Sequence, residues 1–167
     1  MHGLAPQLGE IEAIAASVNA VPPFADILIC LPATLIARAV QTAGGRIAIG
    51  GEDCSAEIAG AFTGDISAEM LKDAGASAVI VGHSERRQHH GETDAIVAAK
   101  ARAVRRAGLL AIICIGETKL QRLDGKALSV CGDQIAGSDI LALPEVGGAS
   151  LKAADFEAIF RAVSAKA

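Results

Sequence analysis

The chain has 167 residues, of which 51% are hydrophobic and 20% charged, a composition that excludes disordered and fibrous proteins and suits one globular domain. Its net charge of −4 provides no basic face for nucleic acid. The longest apolar runs, at residues 27–31 and 109–115, are far shorter than the roughly 20 residues of a membrane span, and no signal peptide is visible after Met1. We therefore expect a cytoplasmic protein without nucleic-acid or membrane partners.

Helical spacing and short continuous apolar runs alternate along the chain, bounded by glycine, proline and capping residues. They predict, in chain order, a helix at residues 7–18, a strand at 26–31, a helix at 33–43, a strand at 47–54, a loop at 55–65, a short helix capped by Ser67, a strand at 77–81, a helix at 93–107, a strand at 109–115, a helix at 119–136, an apolar run at 140–143 and a helix at 153–165. Apolar strands without alternation are covered on both faces, which indicates a parallel sheet with outer helices. We predict one α/β domain over residues 1–167.

The residue types that commonly build metal or redox sites show no such arrangement. The four cysteines lack paired spacing, which fits a reducing compartment, and we interpret them as small hydrophobic residues: Cys30, Cys54, Cys114 and Cys131. The adjacent His89 and His90 point in different directions, so we expect a solvated pair and no metal site. No Walker or dinucleotide-binding glycine motif occurs, which disfavours nucleotide binding.

Residues 78–87 carry the clearest indication of chemistry. Small and β-branched residues predict a short buried strand, and Gly82 frees the backbone at its end. His83 then stands where the chain turns into a charged helical segment. Because ligands bind at the carboxyl ends of parallel strands in such folds, we interpret His83 as an acid–base group at the mouth of a site. The alternative is a histidine that caps a helix or has only a structural role.

Five short motifs succeed one another along the chain: residues 60–67 (GAFTGDIS), 81–87 (VGHSERR), 91–94 (GETD), 114–117 (CIGE) and 146–151 (VGGASL). Their order and spacing resemble the triosephosphate isomerase family, and several ordered motifs are more specific than any one of them. The resemblance implies a (β/α)8 TIM barrel. We expect this barrel to be incomplete, because a complete one takes about 250 residues.

The resemblance also implies roles for individual residues. His83 falls on the family's catalytic histidine, and the family is itself a standard example of a neutral histidine working opposite a glutamate base. Glu85 resembles a carboxylate that pairs with the family's catalytic lysine; otherwise it is an ordinary acid at a helix start. Gly147 and Gly148 would present backbone N–H groups to the substrate phosphate, unless they form a plain turn. The loop around Thr63 reaches into the partner subunit in the family, so we expect a homodimer through this loop.

Two segments of the family's pattern have no counterpart in the sequence. The family begins with a strand carrying an asparagine and the catalytic lysine, whereas residues 1–4 resemble the segment immediately after that lysine. At the position between Gly137 and Val146, the family has a segment long enough for three strands, which contains the glutamate base, the mobile lid and a serine-containing phosphate loop. Glu145 lies in the short stretch that this chain has instead, and we interpret it as a solvent-facing acid rather than a substitute base.

The leading interpretation is a cofactor-free isomerase of glycolysis and gluconeogenesis that interconverts dihydroxyacetone phosphate and glyceraldehyde 3-phosphate. Its partners would be this small phosphorylated triose and a second copy of the chain. The rival is a non-catalytic, truncated barrel that keeps the scaffold and subunit contacts. A third interpretation, another phosphate-binding barrel enzyme, is disfavoured by the long motif match.

Overall fold

A computed structural model describes residues 3–20 and 26–137. A 3₁₀ turn at Ala5–Gln7 precedes, in chain order, α1 (Leu8–Ala20), β1 (Leu28–Leu31), α2 (Ile36–Ala43), β2 (Ala48–Gly51), α3 (Ala68–Asp73), β3 (Ala78–Val81), α4 (Ser84–His90), α5 (Asp94–Arg106), β4 (Leu110–Ile113), α6 (Lys119–Leu123) and α7 (Ala127–Gly137). No helix in these two ranges is long and apolar enough to cross a membrane. The apolar run predicted at residues 140–143 and the helix predicted at 153–165 lie outside the described residues.

The four strands form one parallel sheet in the order β1-β2-β3-β4. Leu28 lies opposite Ala48, Gly50 opposite Ala78, and Ala78 opposite Leu110. At least one helix separates each strand from the next along the chain, as a parallel crossover requires. The predicted α/β architecture with a parallel sheet is therefore confirmed, and all four strands end at the same edge of the sheet.

The hydrophobic core lies between one face of this sheet and the helices. Side chains alternate between the faces of a strand, and Ile49, Val79 and Val81 share the buried face. There they join a cluster with the largest buried helical side chains, which are Ile36, Leu71, Val97 and Val104. Because this core holds β2 and β3 from behind, the loops after their carboxyl ends start from fixed positions.

Helix starts that the sequence marks with a hydroxyl side chain agree with the structure. The Ser67 side chain accepts a hydrogen bond from the backbone N–H of Met70, and α3 begins at the next residue. Thr93 accepts from the N–H of Ile96 and caps α5 in the same way. Such caps satisfy backbone donors that a helix start would otherwise leave unpaired, and local sequence identifies them well.

The single helix predicted at residues 119–136 is wrong. The structure has two helices, α6 and α7, separated at residues 124–126. Gly125 has a φ of 70°, which a helix interior does not accommodate but a glycine adopts without strain. Thr118, with Gln121, caps the first helix in both directions. We therefore attribute the break to Gly125, which the helical spacing alone does not reveal.

The expectation that the strands are covered on both faces holds only for the centre of the sheet. All four residues of β1 are partly exposed, and Leu110 at the start of β4 is 43% exposed. The predicted strands were also too long, since the ladder in β2 covers only Ala48–Gly51. An apolar run predicts burial, but the hydrogen-bonding partner decides where a strand ends.

Truncating Leu71 to alanine is expected to cost about 2–5 kcal/mol of unfolding free energy, because the side chain is 2% exposed within the core cluster. Urea denaturation measures the change. The adjacent Met70 is 53% exposed, so Met70→Ala is the matched control and should change stability by at most about 0.5 kcal/mol. Equal losses in both variants would contradict the assignment of Leu71 to the core.

Candidate active site

His83 stands at the carboxyl end of β3, as the sequence predicted. Gly82 lies between them with a φ of 72°, and a Cβ at this position would lie 2.8 Å from Val97 Cγ1. Only glycine fits this turn without displacing the core. The chain then enters α4 with His83 as its N-cap, and the His83 side chain is 46% exposed. The imidazole is therefore accessible to solvent at the carboxyl-terminal edge of the sheet, where the loops that follow the strands lie.

The hydrogen bonding of His83 defines which ring nitrogen is free to bind a ligand. The backbone N–H of Glu85 donates to Nδ1 across 3.4 Å. In the neutral ring an acceptor Nδ1 assigns the proton to Nε2, which can then donate to a ligand. The exposed Glu85 carboxylate lies 3.7 Å from the same Nδ1 through its Oε2. The structure thus brings His83 and Glu85 together on one helical turn, whereas Gly147 and Gly148 lie outside the described residues.

A cluster of four charged side chains behind α4 was not predicted. Arg86 Nε lies 2.9 Å from Asp53 Oδ2 and 2.6 Å from Glu92 Oε1. Lys100 Nζ lies 2.7 Å from Asp53 Oδ2 and 2.5 Å from Glu92 Oε1. This ionic cluster, Asp53, Arg86, Glu92 and Lys100, joins the loop after β2, helix α4, the segment after it and helix α5. It balances two positive against two negative charges.

Burial acts on the pKa values of the two acids in the ionic cluster, with opposite net results. Burial raises the pKa of Asp53, and this effect exceeds the opposing hydrogen bond from Lys100. Burial also acts to raise the pKa of Glu92, but hydrogen bonds from Lys100 and Arg86 together outweigh it and lower that pKa. The Glu92 side chain is 4% exposed, so an unpaired charge there would be costly.

One feature of the sequence could have revealed this cluster. Lys100 lies three residues after Val97 and four before Val104, both fully buried, and therefore falls on the inner face of α5. A lysine at a core position requires an anionic partner. The local sequence pattern does not identify the partners, since Asp53 is 47 residues away in the chain.

Arg87 provides a second attachment of α4. Its Nε donates to the carbonyl oxygen of Gly82 across 2.9 Å, and its Nη1 lies 2.6 Å from Asp94 Oδ1. Helix α4 itself contains no buried residue. Helix α4, which His83 caps, is therefore held by its two arginines rather than by an apolar face.

The loop at residues 55–66 is closed at its base and exposed at its tip. The Ser55 N–H donates to the Ile66 carbonyl across 2.7 Å, and Ser55 Oγ lies 3.0 Å from Asp65 Oδ2. Thr63 is exposed, as are Ile58 and Phe62, at 55% and 48% respectively. The loop thus presents large apolar side chains beside Thr63 at the surface.

The cysteines of the described ranges are free thiols, and no group of three or more potential metal ligands occurs there. Burial raises the pKa of Cys54 to about 12 and that of Cys30 to about 11. Since the thiolate is the reactive form, we expect Cys54 to resist a thiol reagent at pH 8 in the native protein and to react on unfolding. Labelling followed by mass spectrometry measures this, and native labelling of Cys54 at the unfolded rate would contradict its burial.

Comparison with known proteins adds an independent finding. The family model for triosephosphate isomerase matches residues 4–142. The triosephosphate isomerases of Afipia carboxidovorans and Ruegeria pomeroyi are 58% and 60% identical over 139 residues, which is 83% of this chain and 55% of each relative. The chain therefore spans about half the length of the curated relatives it matches.

A solved structure agrees with the sequence matches. The crystal structure of triosephosphate isomerase from Bartonella henselae superposes with a TM-score of 0.78 at 49% identity, covering 87% of this chain and 60% of that one. The parallel sheet with flanking helices is thus part of a (β/α)8 barrel, and the expected fold class, an incomplete TIM barrel, is confirmed.

Proposed function

Because the chain belongs to the triosephosphate isomerase family, we propose that His83 is the electrophile of an isomerase site for a small phosphorylated triose. The reaction is the interconversion of dihydroxyacetone phosphate and glyceraldehyde 3-phosphate, in glycolysis and gluconeogenesis in the cytoplasm, without a cofactor. The observation that carries the proposal is the placement of His83 at the carboxyl end of β3, exposed, with Nδ1 engaged by the Glu85 N–H.

The chemistry depends on that hydrogen bond. Isomerisation removes a proton from the carbon beside a carbonyl and leaves negative charge on the oxygen. His83, with its proton on Nε2, can donate a hydrogen bond to this oxygen as the enediolate develops, which lowers the barrier where charge appears. Glu85 on the same helical turn is proposed as the second catalytic side chain, and Gly147 with Gly148 as the phosphate-binding backbone.

The exposed loop supports a proposal for the partner. We propose that the chain forms a homodimer through the loop around Thr63, where Ile58 and Phe62 would bury their apolar surface. The rival function, a non-catalytic barrel that keeps the scaffold and these subunit contacts, is favoured by one observation: the 167 residues carry no counterpart of the family's glutamate base between Gly137 and Val146.

The proposed function is tested by incubating glyceraldehyde 3-phosphate with the chain in D₂O and monitoring product and deuterium incorporation by proton NMR. The His83→Gln variant should lose whatever conversion the unmodified chain shows. His90→Gln changes an exposed histidine at the other end of α4 and is the matched control, expected to convert at the unmodified rate. Equal conversion with and without His83 would overturn the assignment.

We predict that Phe62→Asp weakens self-association at least tenfold, because it places a charge at the apolar tip of the loop. Sedimentation velocity over a range of concentrations measures the dissociation constant. Leu128 in α7 is 91% exposed and lies outside this loop, so Leu128→Asp is the control. A dimer weakened by Leu128→Asp but not by Phe62→Asp would place the interface elsewhere.

A further inference from the structure

Helix α4 has an unusual mode of attachment for an element that positions a site. It has seven residues and begins directly after His83, its N-cap, yet none of its residues is buried. The backbone N–H groups of Arg86 and Arg87 both donate to the His83 carbonyl, across 2.9 and 3.1 Å, so the first turn and the histidine move as one unit. A helix without a buried apolar residue takes its orientation mainly from its polar contacts.

Arg87 attaches α4 to Gly82 and Asp94, whereas the contacts of Arg86, which is closer to His83 in the chain, converge on Glu92. The Arg86 guanidinium is held by Glu92 and Asp53, and Lys100 brings the same two carboxylates together. Glu92 Oε1 accepts from both cations, at 2.6 and 2.5 Å. Glu92 is also the most buried member of the ionic cluster, with a side chain 4% exposed. Its charge therefore fixes Arg86 from a position that water does not reach.

We infer that Glu92 is a positioning residue for His83, acting through Arg86 to set the orientation of the first turn of α4. The inference rests on the proposed function in one respect only, which is that His83 has a catalytic role. The burial and geometry of the ionic cluster carry the rest. Loss of the Glu92 charge would leave Arg86 with a single ion-pair partner in the cluster, Asp53, whose side chain is 20% exposed. The helix would then reorient, and the Glu85 N–H to His83 Nδ1 hydrogen bond would lengthen or break.

The test is Glu92→Gln, which keeps the shape of the side chain and removes its charge. In ¹⁵N-labelled protein, the His83 ring nitrogens and the Glu85 amide report the hydrogen bond between them, and the His83→Gln spectrum assigns the ring signals. We expect the Glu85 amide signal and the Nδ1 signal to shift. We also expect amide hydrogen exchange in α4 to accelerate at least tenfold. Asp53→Asn, which changes the more exposed of the two acids, is the second variant if Glu92→Gln fails to fold.

The matched control is Glu69→Gln, which breaks the 2.9 Å ion pair between Glu69 and Arg106 of helices α3 and α5, away from α4. It should lower stability without moving the His83 signals. Unchanged His83 and Glu85 signals in a folded but destabilised Glu92→Gln variant would overturn the inference and leave Glu92 a structural residue. Turnover is not a readout, so an unmodified chain without isomerase activity would count against the proposed function alone.

Discussion

Replacing Lys100 with methionine is expected to lower the free energy of unfolding by about 3–5 kcal/mol, the range for removing one partner of a buried ion pair. Methionine fills a similar volume, so the loss comes from charge rather than from a cavity. It leaves Asp53 and Glu92 facing the single cation Arg86, with one negative charge uncompensated in a site where the lysine side chain was 10% exposed. Urea denaturation at pH 7 measures the change.

The sign of the pH dependence of the stability lost in Lys100→Met follows from the pKa shifts of the two acids. The lowered pKa of Glu92 means that its ionised form stabilises the fold above the unfolded pKa, a contribution lost as the pH falls through the folded value. Asp53 behaves oppositely, because its raised pKa makes ionisation a cost that disappears at low pH. In Lys100→Met, protonation of a carboxylate removes the uncompensated charge. The difference in unfolding free energy between this variant and the unmodified chain should therefore narrow as the pH falls from neutral into the acid range where these carboxylates protonate.

A control for Lys100→Met lies at the surface. Lys126 pairs with Asp124 across 3.3 Å, and their side chains are 61% and 60% exposed. Lys126→Met should therefore change stability by at most about 0.5 kcal/mol. If the two lysine variants unfold at the same urea concentration, the ionic cluster stabilises the fold no more than a surface pair does, in spite of its burial.

Local features of the fold were predictable because their causes are local. Thr93 caps α5 through a hydrogen bond to a residue three positions on, and Gly82 turns the chain at the end of an apolar run. Both causes can be recognised from a few adjacent residues in the sequence. The same locality placed His83 at the carboxyl end of its strand. The break at Gly125 was missed because a glycine in a helical pattern only lowers helix stability by about 1 kcal/mol, and spacing does not show whether the chain turns there.

The ionic cluster was missed because its contacts with Asp53 join residues that are far apart in the sequence. Asp53 and Lys100 meet only because β2 and β3 pair and α5 packs behind them, so the contact depends on the folded sheet. Lys100 alone stands out, on the inner face of α5, whereas each of its partners resembles an ordinary surface charge in the sequence. The sequence therefore predicts the histidine of the candidate site, and the fold supplies the charges that hold its helix.

The 167-residue chain is expected to isomerise glyceraldehyde 3-phosphate several orders of magnitude more slowly than a family member with a positioned base. A general base typically contributes about 10²–10⁴-fold, and a charged or polar donor to the oxygen roughly 10²–10³-fold. His83 can stabilise the oxygen, but the sequence shows no counterpart of the glutamate that takes the carbon-bound proton. A coupled assay at saturating substrate measures the rate.

The absence of a base also predicts that an added carboxylate should restore part of the activity. If only the base is lacking, acetate or formate should raise the rate in proportion to its concentration, because an external carboxylate can take the proton. A positioned group can reach an effective molarity of about 10⁵–10⁸ M, so about 0.5 M acetate should recover only a small part of the loss. His83→Gln should abolish the rescue, since the oxygen would lose its donor. Fast turnover without added carboxylate, sensitive to His83→Gln, would show that the chain supplies a base of its own; a rate indifferent to both acetate and His83 would favour the non-catalytic scaffold.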